Sequence, residues 1–131
     1  MTTQVEAGYV YAGDDDDVAM VGFADHQYDT KSYVLLQRDK NPSAEDRAAG
    51  EHKVHITVDD QSRAAYGAIL GATLGNDTMT LVVDERHAAQ LRTDQEIVIR
   101  FPSASLAPAE LAAKLRELFE QEPGVFRIAD E

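Results

Sequence analysis

Apolar and polar residues alternate in short runs along most of this chain, and clusters of aspartate, asparagine, glycine and proline separate the runs. A period of two places every second side chain on one face of an extended strand, so the pattern predicts many short strands. "QVEAGYVYA" (Gln4 to Ala12) and "VAMVGFA" (Val18 to Ala24) are rich in β-branched, aromatic and small residues, with the acidic run Asp14 to Asp17 as a turn between them. "KSYVLLQR" (Lys31 to Arg38) is apolar on both faces at its centre and belongs inside a sheet. The polar stretch Asp39 to Glu51, with Pro42 and Gly50, reads as a loop holding a short helical turn. In "HKVHITV", Val54, Ile56 and Val58 share one face, while Lys53, His55 and Thr57 take the other. "YGAILGATL" and "TMTLVVD" flank Gly75-Asn76-Asp77, a hairpin signal. "QEIVIRF" alternates again and brings Ile97, Ile99 and Phe101 together.

Two segments break the period of two. "DERHAAQL" has helical propensity, with Asp84 placed to cap its amino end. From Pro108 to Gln121, Leu111, Leu115, Leu118 and Phe119 fall at i, i+4, i+7 and i+8, which is one stripe of a helix. Pro108 suits a first helical turn, Pro123-Gly124 ends the helix, and "VFRI" adds a short terminal strand. The expected fold is α+β and mostly β: a bent or doubled antiparallel sheet with the carboxy-terminal amphipathic helix packed on it. Residues 1–131 read as a single domain, without repeats or linkers. Nothing alternates as βαβ units do, which argues against a dinucleotide-binding fold.

Composition narrows the function. Apolar residues make up 44% of the chain, enough for an ordinary core. The absence of cysteine removes disulfides, thiolate metal sites and cysteine nucleophiles. The amino terminus has neither the basic nor the apolar region of a secretion signal, and no run of ~18 apolar residues could span a membrane as a helix. A soluble cytoplasmic protein is expected. Twelve basic residues against 24 acidic ones give a formal net charge of −12. Such a surface repels nucleic acid and anionic membranes and speeds encounter with basic partners, although solubility alone would also account for it.

The search for catalytic and metal chemistry yields little. His52 and His55 resemble a ligand pair, but three residues apart on a regular strand places them on opposite faces, and His87 has no second histidine nearby. Four contiguous aspartates lack the spaced donors of a calcium loop. There is no G-x-S-x-G and no phosphate-binding glycine loop. Asp59 and Asp60, being adjacent, point apart on a strand and suit a shared-proton pair poorly. The expectation is no enzyme, no metal and no cofactor.

One stretch resists the strand pattern. "VDDQSRAAYGAI" sets Asp59, Asp60, Gln61, Ser62, Arg63 and Tyr66 between two apolar runs. Aspartate and serine bonding their own backbone would make it a simple turn. Tyrosine and arginine are also favoured interface anchors, so these six residues form the candidate partner-binding segment. As solvated turn residues, Asp59 and Asp60 should tolerate charge reversal without loss of fold, whereas Tyr66 could instead begin a strand in the core.

The order of these segments resembles the Immunity protein 10 family. "YVLLQR" (Tyr33 to Arg38), "HKVHITVDDQSRAAYGAI", the hairpin into "MTLVVDE", then "EIVIRF" and the leucine helix carry the likeness, roughly from Tyr9 to Phe119. Members often have two glycines after the tyrosine, whereas here Gly67 precedes Ala68. The resemblance implies a mostly β fold without catalytic residues. It also implies the role of a cytoplasmic immunity protein in a bacterial polymorphic-toxin system, neutralising a toxin encoded beside it. The negative charge adds that the toxin is basic, as a nuclease would be where it meets its substrate. The alternative is a small-molecule or peptide-binding β-domain with its polar loop at one end of the sheet.

Overall fold

The computed structural model describes residues 2–101 and 108–129. Its strands form two five-stranded sheets. Sheet I runs in consecutive order: β2 (Tyr9–Asp15), β3 (Val18–Ala24), β4 (Tyr33–Asp39), β5 (His55–Val58) and β6 (Asp60–Tyr66). Sheet II has the order β1 (Thr2–Glu6), β9 (Glu96–Arg100), β8 (Thr78–Val83), β7 (Ile69–Leu74) and β10 (Phe126–Ile128). The described residues also form three helices: α1 (Ala44–Ala48) between β4 and β5, α2 (Glu85–Leu91) between β8 and β9, and α3 (Pro108–Leu118) between β9 and β10.

Period-two alternation builds the core. Val10, Phe23, Val34 and Val58 lie in one register row of sheet I, and Ala12, Val21, Leu36, Ile56 and Ala65 lie in the next. All are buried except Ala12, which is half-buried against them. Sheet II contributes Val5, Ala72, Leu74, Met79, Leu81, Val83, Ile97 and Ile99, and the buried residues of both sheets form one cluster. Phe23 and Phe101 meet across it, with ring centroids 5.5 Å apart. The predicted stripe on α3 is buried as expected, Leu111, Leu115, Leu118 and Phe119 being at most 3% exposed. That helix contacts β2, β3 and β4, and also β10. Buried Arg38 fastens its end, donating to the Glu117 carbonyl at 2.9 Å and to Glu120 Oε1 at 2.8 Å. A cation at a helix carboxy terminus also complements the helix dipole.

The mostly β, doubled fold with a carboxy-terminal helix is what the pattern predicted, and three details differ. The run Gln4 to Ala12 is two strands, one in each sheet. The chain changes sheet at Gly8, where a Cβ would stand 2.8 Å from the Asp25 carbonyl oxygen, so glycine alone fits without a backbone shift. The sheet edges are not all antiparallel: β1 joins β9 and β10 joins β7 in parallel. Finally, the segment after Asp59 is not a turn. Asp59 alone makes the bend, with a φ of +63°, and Asp60–Tyr66 is the edge strand β6, reached through a bulge between Thr57 and Val58. Polar side chains are tolerated there because an edge strand is solvated. No described helix is long and apolar enough to cross a membrane.

Candidate partner-binding surface

The structure divides the candidate segment into two kinds of residue. Asp59 and Arg63 hold the fold. The Asp59 carboxylate accepts from the Ser32 hydroxyl at 3.0 Å and the Tyr33 amide at 2.9 Å, tying the start of β4 to the β5–β6 bend. Aspartate is among the few residues that accept its left-handed conformation. Arg63 pairs with Asp59 at 3.2 Å and donates to the Leu91 carbonyl at 2.8 Å and the Arg92 carbonyl at 3.4 Å, closing the end of α2. Gln90 of α2 donates to the Ala64 carbonyl at 2.6 Å, so the helix also occupies part of the β6 edge.

The remaining four residues face solvent. Asp60, Gln61 and Ser62 are exposed at the start of β6. The Ser62 amide donates to Asp60 at 2.8 Å, and this bond holds the Asp60 carboxyl below its usual value. Tyr66 is 44% exposed at the other end of the strand, outside the core, with its ring 4.6 Å from that of His55. Burial lowers the His55 pKa, favouring the neutral imidazole.

Tyr66 belongs to a larger feature that the linear segment concealed. The face of sheet I turned away from the core carries successive rows: Tyr9, Ala24 and Tyr33; Tyr11, Gly22, Leu35, Thr57 and Ala64; Gly13, Met20, Gln37, His55 and Tyr66. Four of the chain's five tyrosines stand in these rows, and the fifth, Tyr28, is 78% exposed on the β3–β4 loop. Glycines shape the surface. Gly22 leaves a shallow trough of about 260 Å³ lined by Tyr9, Tyr11, Tyr33 and Leu35. A Cβ at Gly13 would lie 2.6 Å from the Tyr11 hydroxyl oxygen, so that ring rests directly over Gly13.

Carboxylates edge this face. Beyond the Tyr66 row, Asp15, Val18 and Asp39 form a further row, and exposed Asp16 and Asp17 continue the β2–β3 turn. Burial, and after it the charges of Glu51, Asp46 and Asp39, push the Tyr66 phenol pKa up. Two nearby cations, Lys40 and Lys114, are both held by Asp14, at 2.9 Å each, and by Glu117, while the Lys53 side chain lies against Gly67. The outward face of sheet II differs: Thr73, Thr78, Thr80, Gln4, Glu96 and Arg100 stand among Val82 and Val98, with no aromatic residue in the paired rows. Among the described residues, no group of three or more histidines and carboxylates is arranged to hold a metal ion.

The family model for Immunity protein 10 matches residues 4–109, which takes in both sheets up to the start of α3. The chain belongs to the Immunity protein 10 family. Membership carries the general role of an immunity protein, the binding of a cognate toxin. A comparison with curated proteins returns no match. In this immunity protein the departure from the paired glycines falls at Ala68, which is fully buried, while Gly67 keeps a φ of +66°. The sequence singles out Tyr66 but not Tyr9, Tyr11, Tyr33 and Leu35, which stand on the same face of sheet I. The signal was present in "YVYAG" and "SYVLLQ", where tyrosine and leucine occupy the positions that alternate with core residues.

Proposed function

We propose that this chain is a non-catalytic cytoplasmic inhibitor that binds and neutralises one basic toxin domain encoded beside it. The observation that carries the reading is the family match over residues 4–109. The net charge of −12 supports a basic partner, because opposite fields steer association and like charges oppose it. A nuclease is the toxin class that fits this chemistry best, since its substrate-binding surface is positive. The contact surface includes Asp60, Gln61, Ser62 and Tyr66 directly, with Asp59 and Arg63 holding β6 in place beneath them.

Coexpression tests the function. Cells producing the neighbouring toxin domain survive when the wild-type chain is produced with it and die without it. Death in both conditions, with the chain folded and abundant, contradicts the proposal.

A further inference from the structure

Family membership does not say which side of the molecule meets the toxin. We infer that the outward face of sheet I is the docking surface, and that its occupant is a basic protein surface. The inference rests on the immunity reading above.

Three observations converge. The two sheets share one core, yet their outward faces differ in kind. Sheet II presents threonines and charges around the aliphatic Leu70, Val82 and Val98, whereas sheet I presents the aromatic Tyr9, Tyr11, Tyr33 and Tyr66 with Met20 and Leu35 in adjoining rows. Tyrosine is enriched at protein interfaces because its rigid, amphipathic ring covers much area at low entropic cost. Tyr11 and Tyr66 are exposed and the other four half-buried, and aromatic and aliphatic surface gathered on one face in this way marks an interaction site.

The second observation is preorganisation. The Tyr11 ring lies over Gly13 and borders the trough left by Gly22, and the Tyr66 ring packs on His55. Anchors already held in place lose less freedom on binding.

Charge selects the occupant. Asp15, Asp16, Asp17 and Asp39 edge one end of the face, and Asp60 lies at the β6 side. A second copy of this chain would bring another −12 against the same carboxylates, and nucleic acid would be repelled in the same way. A basic protein surface meets the tyrosines with apolar contact and the carboxylates with cations. Arginine and lysine side chains also stack favourably on tyrosine rings.

The test measures affinity for the purified neighbouring toxin domain, with folding of each variant checked by circular dichroism. Tyr11→Thr/Tyr66→Thr keeps β-propensity and removes two anchors, and affinity falls at least about 30-fold. Leu70→Thr/Val82→Thr removes the exposed aliphatic side chains of sheet II, and affinity changes less than about threefold. Because the chain has no cysteine, a single introduced thiol gives a footprint that does not depend on binding energy. A thiol in Tyr66→Cys reacts with a maleimide in the free chain and is protected in the complex, while one in Val82→Cys reacts in both. Unchanged affinity of the tyrosine variant, or protection of position 82 instead of 66, overturns the docking face and leaves the immunity reading standing. Loss of self-association in the tyrosine variant, without loss of toxin binding, assigns the face to a second copy and also overturns it. Failure of the wild-type chain to bind the toxin removes both readings.

Discussion

Asp59 and Asp60 are neighbours of identical chemistry with opposite roles. Asp59 bends the chain at a positive φ and accepts bonds from Ser32 and Tyr33, whereas Asp60 is exposed and its hydrogen bonds are with Ser62, two residues on. Asp59→Lys therefore lowers the urea midpoint by the equivalent of about 1–3 kcal/mol, since it removes an acceptor from half-buried donors. Asp60→Lys stays within about 0.5 kcal/mol of wild type, as surface substitutions do, and its effect appears in toxin affinity instead. Equal midpoints for the two variants would contradict this division. Nothing in "VDDQS" distinguishes them, because the difference is set by Ser32 and Tyr33, more than 25 positions away. The sequence left Tyr66 open between surface and core, and the structure puts it outside the core, on a face whose other residues come from four other strands and needed the register to be found.

Among the elements, α3 was the most legible because its apolar stripe has a single consistent period. Leu115 is fully buried, and Leu115→Ala is expected to cost about 2–5 kcal/mol in denaturant unfolding. An unchanged midpoint would place the helix elsewhere. The amino-terminal strands were less legible. Gln4 to Ala12 is uniformly β-favouring, and its division between two sheets depends on the backbone approach at Gly8. Gly8→Ala forces that backbone apart and lowers stability by about 1–3 kcal/mol. Gly13→Ala meets only the movable ring of Tyr11, so it leaves the midpoint nearly unchanged while weakening toxin binding. The parallel edges β1–β9 and β10–β7 each join a strand at one end of the chain to a distant interior strand, a pairing that no local pattern encodes.

For the whole molecule, charge sets the response to pH and salt. Hydrogen bonds from Lys114 and Lys40 hold Asp14 below its usual value of 3.8, bonds from His87 do the same for Asp84, and Lys114 lowers Glu117 below 4.5. A carboxylate depressed in the folded state stabilises it above the unfolded pKa, and that contribution is lost as pH falls through the folded pKa. His55 has the same sign in a higher window. Burial lowers it from 6.5, so acid begins to oppose folding below that pH. The urea midpoint should fall slightly as pH drops below about 6.5 and steeply below about 4. His55→Gln should remove the first slope alone, and persistence of that slope would assign it to another group. Calorimetric titration of the wild-type chain with the purified neighbouring toxin domain, at low and at physiological salt, reads the toxin–immunity interaction itself. A saturable complex is expected, and its association weakens as salt screens the opposing charges, with the Debye length reduced to about 8 Å at physiological ionic strength. No binding at either salt concentration, with both proteins folded, would contradict it.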